Sequence, residues 1–190
     1  LRGSLNYKNE KYWAAARDLQ DIEPDPAKVD PAILPIRADA YLKCGWPEKA
    51  RQDLEQIKKD TLASKEWIKL KERGIKDSLN VYQAQIKVSE KKLAKKPTDV
   101  VSRLTLAKAQ NAVGDTDAAT KNAEVVQKQI PKSTAPVAII VEASIQEGDI
   151  QKADKTIQKA DKMGLNTKNI RFKPSVRPLS TRVDTLGKQQ

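Results

Sequence analysis

The side chains that perform most protein chemistry are scarce in this chain of 190 residues. Histidine is absent and Cys44 is the single cysteine. Ser-His-Asp triads, Cys-His dyads, disulfides within the chain and most transition-metal sites are therefore excluded. Catalysis by carboxylates or lysines would need a pocket, and no pair stands out among the 25 acidic residues. The sequence predicts a binding protein that is not an enzyme and uses no cofactor.

Lysine and arginine give the chain a net charge of +11, and the excess is concentrated in two regions. Residues 58–96 hold 12 basic against 5 acidic residues, and residues 165–190 hold 6 against 1. A solvated basic face is the simplest interpretation, because most runs of charge are solvated. The alternative is a surface for nucleic acid or another polyanion. Its candidate contacts are Lys69, Lys71, Arg73, Lys76, Arg171, Lys173 and Arg177.

The elements that would position such residues are predicted to be helices. Aromatic residues make up 4% of the chain whereas alanine occurs 22 times, which favours closely packed helices over a sheet. The mean hydropathy is −0.67, and no stretch approaches the length of a membrane span. The sequence therefore predicts an all-α protein without a transmembrane segment.

A period of 34 residues runs through the second half of the chain. It relates Gly114 to Gly148, and it also relates Pro97 to Pro131 and Ala119 to Ala153. A glycine between two short helices permits the positive φ of a helix C-cap. The aspartate after it, Asp115 or Asp149, can then accept from free N–H groups of the next helix. Each period is thus predicted to be a tight helical hairpin, with helices over 135–147 and 150–163 in the last one.

These spacings resemble the tetratricopeptide repeat, a helix-turn-helix unit of 34 residues that stacks into a right-handed α-solenoid. The signature positions are occupied by Ala38, Tyr41, Gly45, Ala50, Leu54 and Ile57, by Ala107, Gly114, Ala119, Ala123, Val126 and Pro131, and by Val141, Gly148, Ala153, Ile157 and Ala160. The resemblance covers residues 1–164, with units at about 1–28, 30–60, 62–97, 98–131 and 134–164. The third unit departs from the pattern, as a degenerate repeat or an inserted longer helix pair. Residues 165–190 are expected to form an irregular basic tail that caps the last unit.

The resemblance implies a protein partner held along a concave groove, which the first helix of each unit would line. The corresponding residues are Asp39, Leu42, Lys43, Val101, Leu104, Lys108, Asn111, Ala138, Glu142 and Ile145. For Leu104 and Ile145, packing between units is an equally good explanation of the pattern. One subclass of the family binds a peptide carboxylate through paired lysines and asparagines. Here the equivalent positions hold Leu104 with Lys108 and Ala138 with Glu142, so that clamp is not reproduced.

The function expected from the sequence is an interaction scaffold that binds a partner segment within a larger assembly. We also expect that copies of the chain can associate with one another, because exposed ends of a repeat array can stack end to end. The competing function is a nucleic-acid or polyanion module. Steep weakening of binding with salt would distinguish the polyanion module from the scaffold.

Overall fold

The computed structural model describes residues 2–23, 25–167 and 170, except for the side chains of 21 and 22. The part it describes is helical, without strands, which confirms the all-α prediction. The α-helices, in chain order, are α1 (Arg2–Lys8), α2 (Tyr12–Ile22), α3 (Leu34–Lys43), α4 (Pro47–Lys59), α5 (Lys65–Lys95), α6 (Val100–Ala112), α7 (Thr116–Gln129), α8 (Ala135–Gln146) and α9 (Ile150–Lys162). None of these described helices is both long and apolar enough to cross a bilayer.

The predicted hairpin turns are present. Gly45, Gly114 and Gly148 have φ values of +78°, +88° and +80°, so each chain reversal uses a left-handed backbone that favours glycine. Asp115 accepts a hydrogen bond from the Ala118 N–H, and the aspartate that follows Gly148 caps α9 in the same way. The sequence therefore correctly predicted α6 with α7 and α8 with α9 as helical hairpins.

Residues 62–97 do not contain a hairpin. The structure has one helix of 31 residues here instead of a degenerate repeat or an inserted helix pair. Asn80 stands where a hairpin glycine would be needed, and no glycine or proline follows Gly74 until Pro97. Because nothing in this interval ends a helix, α5 continues until it reaches the residues before that proline.

The helices pack mainly on their neighbours in sequence, but α2 also contacts α8. The largest apolar cluster accordingly combines residues from both halves of the chain, including Ala15 of α2, Trp46 at the start of α4, and Val137 and Ile145 of α8. A separate small cluster places Ala107 of α6 against Ala119 and Ala123 of α7. These alanines allow α6 and α7 to approach closely. As a result, α6 has one face fixed against α7 and another left for a different contact.

Candidate functional site

A cavity of about 440 Å³ lies where α5, α6 and α8 meet the turn between α3 and α4. Its volume is within the range of pockets that bind small molecules or short segments. The lining side chains come from four elements that are far apart in sequence. They are Cys44, Gly45 and Trp46 of the turn, Tyr82 and Gln85 of α5, Thr105, Lys108, Asn111 and Ala112 of α6, and Ala135, Ala138, Ile139 and Glu142 of α8.

The repeat explains why α6 and α8 contribute equivalent positions. Lys108 and Glu142 are 34 residues apart, as are Leu104 and Ala138. Asp99 fixes the start of α6 by accepting from the N–H groups of the first turn. Lys108 and Asn111 then follow one turn apart on the same side of that helix. Four of the ten predicted groove residues therefore line this one cavity: Lys108, Asn111, Ala138 and Glu142.

Asn111 is the most informative of these residues. Its side chain lines the cavity although only 3% of the residue is exposed. Its Oδ1 atom is buried and accepts no hydrogen bond within the described part of the chain. A buried acceptor without a donor costs about 1 to 3 kcal/mol. A ligand that offers an N–H or O–H group to this oxygen would recover that free energy.

Lys108 gives the cavity a positive rim. Its ammonium group is exposed and forms no ion pair or hydrogen bond with the residues that the structure describes. Glu142 lines the same cavity from α8, so the lining contains residues of both signs of charge. Such a pair of opposite charges can fix the direction in which an extended segment lies.

Trp46 and Tyr82 give the cavity an aromatic part of its lining. Trp46 is buried, with its ring centroid 5.9 Å from that of Tyr41 and 6.5 Å from that of Trp13. At Gly45 a Cβ atom would lie 3.0 Å from the hydroxyl oxygen of Tyr82. The glycine is therefore needed both for its positive φ and for the close approach of α5. Tyr82 and Gln85 could not be predicted as lining residues, because the repeat has no register in α5.

Asp39, Lys43 and Lys71 form a separate polar cluster with the two tyrosines of the first hairpin. The Tyr7 hydroxyl donates to Asp39 Oδ2 at 2.5 Å, the Lys71 ammonium donates to Oδ1, and Lys43 Nζ is 3.3 Å from Oδ2. Lys43 also lies over the ring of Tyr12, 4.1 Å from its centroid. The cluster ties α1 and α2 to α3 and α5. Asp39 and Lys43 are thus engaged in contacts within the chain, and Lys71 is paired with Asp39.

Three groups of this cluster have shifted pKa values. Burial alone would raise the pKa of Asp39, but hydrogen bonds from Lys71 and Tyr7 and the two ammonium charges outweigh burial and lower it. Burial and the hydrogen bond to the carboxylate raise the pKa of Tyr7 to about 12. The pKa of Lys43 is also raised, mainly by the contact of its ammonium group with Tyr12 and to a smaller extent by the charge of Asp39. All three shifts favour the charge states that hold the cluster together.

The remaining predicted groove residues lie outside the cavity. Ile145 is fully buried in the main core, and Leu104 packs against the alanines between α6 and α7. Leu42 packs beside Gly74, where a Cβ atom would be 3.3 Å from its Cδ2. Val101 is exposed to solvent. Leu104 and Ile145 therefore occupy packed positions, which agrees with the alternative that they pack within the fold instead of contacting a partner.

The predicted polyanion contacts are divided. Lys69, Arg73 and Lys76 are exposed on α5 and make no ion pair or hydrogen bond within the part of the chain described. Arg171, Lys173 and Arg177 lie outside the described residues.

The described part of the chain contains no group of three or more histidine, cysteine, aspartate or glutamate residues able to hold a metal ion. Comparison of the chain with protein-family models, curated proteins and solved structures finds no match.

Proposed function

We propose that this protein is an interaction scaffold of the tetratricopeptide-repeat kind, a right-handed α-solenoid of stacked helix pairs that binds a partner segment. The three glycine turns and the successive packing of neighbouring helices support this architecture. The contact of α2 with α8 requires the array to curve until its first and last pairs meet. The single long helix α5 takes the place of one hairpin and packs against both α4 and α6.

The unpaired Oδ1 of Asn111 is the observation that carries the proposal. It supports the cavity between α5, α6 and α8 as the binding groove, because a buried acceptor beside a cavity can pair with a donor from outside the chain. A main-chain N–H of an extended segment is a suitable donor. Lys108 would then receive an acidic side chain or a carbonyl group of the same segment, with affinity concentrated in these few contacts.

The experiment compares three variants of the whole chain, immobilised and exposed to native extract. Asn111→Leu removes the acceptor while keeping a side chain that branches at Cγ, and Lys108→Gln removes the rim charge. Lys121→Gln is the matched control, because Lys121 is exposed on α7 and does not line the cavity. We expect a defined protein partner that binds the wild type and the control but is at least about ten-fold depleted on the two cavity variants.

Salt and nuclease separate this proposal from polyanion binding. The partner is expected to survive nuclease treatment and an increase from about 100 to about 500 mM salt, because phosphate-dominated binding falls steeply over this range. Recovery only at low salt and without nuclease, unchanged in Asn111→Leu, would contradict the scaffold. It would instead assign binding to the cations of α5.

A further inference from the structure

The outward face of α5 carries a line of exposed aliphatic side chains that the proposed groove does not use. Leu70, Val81 and Val88 are 65%, 56% and 53% exposed. They are separated by 11 and 7 residues, which at 3.6 residues per turn places all three within about 20° of one another around the helix. Asp77 and Ala84 share this line, and we call these five residues the outer stripe. It runs for about 27 Å, at 1.5 Å per residue.

The outer stripe is not a by-product of packing against the core. The residues of α5 that face the core are Ile75, Leu79, Ile86 and Leu93, on the opposite side of the helix. A helix that covers a domain needs one apolar face, yet α5 has two. In the outer stripe the successive spacings are 7, 4, 3 and 4 residues, which is the heptad spacing of a helix that packs against another helix. The polar Asp77 within such a seam specifies register.

Cations without a partner lie beside the outer stripe, most of them on one side of it, and Lys95 continues its line. None of them forms an ion pair or hydrogen bond with any residue that the structure describes, in contrast to Lys71 and Lys58, which pair with Asp39 and Glu72. These seven cations are Lys69, Arg73, Lys76, Lys87, Lys91, Lys92 and Lys95. An apolar seam bordered by unneutralised positive charge is complementary to an apolar seam bordered by carboxylates.

We infer that the outer stripe is a docking surface for an acidic amphipathic helix of another protein. The chain's own residues 171–190 hold five basic residues against one acidic residue, so they would be repelled. A second copy would bring the same cations together. Nucleic acid would neutralise the cations but leave the aliphatic line exposed, and an anionic bilayer would bury Asp77. The acidic helix alone satisfies the aliphatic line and the charges together.

The test uses a displayed library of amphipathic helices of about 21 residues, three heptads long. Their seam positions are apolar, and each position flanking the seam is glutamate, lysine or glutamine. The library is selected on the whole chain. Val81→Gln/Val88→Gln removes two side chains of the outer stripe, and both positions are exposed, so folding should be retained and is checked by circular dichroism. Val125→Gln is the matched control, an exposed valine on α7.

Selected helices are expected to be enriched in glutamate at the flanking positions. Their Kd should rise at least about ten-fold with the double variant and less than about two-fold with Val125→Gln. Arg73→Glu/Lys87→Glu/Lys92→Glu should reverse the preference to lysine-flanked helices. Asn111→Leu should leave this binding unchanged, which separates it from the proposed groove.

Three outcomes would overturn the inference. The first is selection without enrichment of glutamate, and the second is equal affinity of selected helices for the wild type and the double variant. The third outcome is tested by measuring, in parallel, the binding of single-stranded polyuridine and of phosphatidylserine vesicles. If either binds with higher affinity than every selected helix, and the double variant does not change that affinity, the cations would be assigned to a polyanion surface instead.

Discussion

Removal of the Asp53 side chain should strongly destabilise the fold, because it leaves the buried guanidinium of Arg37 without a counter-charge. The two side chains are each 1% exposed. Arg37 donates from Nε and Nη2 to the two carboxylate oxygens at 2.8 and 2.7 Å, and from Nη1 to the Glu23 carbonyl. The pair joins α3 to α4, and the carbonyl contact fixes the chain that follows α2. With Asp53→Ala, the guanidinium keeps the hydrogen bond to that carbonyl and its position over the Tyr41 ring, 5.6 Å from the centroid, but no carboxylate.

The expected loss follows from the burial of both partners. Breaking a buried ion pair by removing one partner costs about 3 to 5 kcal/mol, whereas replacing both partners by apolar residues is often close to neutral. For a chain of this size that loss lowers Tm by roughly 6 to 20 °C, at about 2 to 4 °C per kcal/mol. Asp53→Asn retains an acceptor and should lose less than Asp53→Ala. Arg37→Met/Asp53→Leu should also be more stable than Asp53→Ala.

Urea unfolding followed by far-ultraviolet circular dichroism measures these free energies. Glu124→Ala is the control, since Glu124 is an exposed carboxylate in the middle of a helix, and its loss should stay within about 0.5 kcal/mol. A loss below about 1 kcal/mol for Asp53→Ala, or a double variant as unstable as the single variant, would refute the reasoning. The first result would mean that solvent reaches the guanidinium, and the second would mean that the loss does not come from the unpaired charge.

Three further outcomes are expected. The lowered pKa of Asp39 means that its ionised form stabilises the fold above pH 4 or so, and this contribution is lost as pH falls through the folded pKa. Asp39→Asn should therefore be less stable than the wild type at neutral pH and should lose less stability as the pH is lowered. If the stability of the two proteins changes in parallel with pH, the ionised Asp39 does not stabilise the cluster. Gly114→Ala should lose more stability in urea than Gly148→Ala, although both have positive φ, because only at Gly114 would the Cβ lie within 3 Å of another side chain. Equal midpoints would exclude that contact. Asn111→Leu should unfold at the same urea concentration as the wild type or higher, because it removes an unpaired buried acceptor. A clear loss would show that Oδ1 has a donor within the fold.

Local signals made the hairpins predictable. Gly114 and Gly148 require a left-handed backbone, and the aspartate after each caps the next helix. These requirements act within a few residues, so the sequence displays them directly. The 34-residue spacing then carries them to equivalent positions, which is why Lys108 and Glu142 could be predicted to lie near each other.

The polar cluster and the cavity depend on contacts between distant segments. Asp39 is in a first helix of a unit and was predicted to face the groove, but Lys71 from α5 and Tyr7 from α1 enclose it. Neither partner has a fixed spacing from Asp39 in a repeat. In the same way, Tyr82 lines the cavity only because α5 continues through the place where a turn was expected. The arrangement of neighbours that are distant in sequence, which no local pattern encodes, decided these positions.

The contact between α2 and α8 has a consequence for how the chain folds. Ala15 and Val137 belong to one cluster although about 120 residues separate them, whereas a hairpin contact closes a loop of only about 12. Closing the longer loop costs about 2 kcal/mol more in chain entropy. We therefore expect the hairpins to form before the first pair docks on the last, and docking to be the slow step. Once docked, the two ends share one core, so the protein should melt in a single transition, whereas the units of an open array can unfold successively.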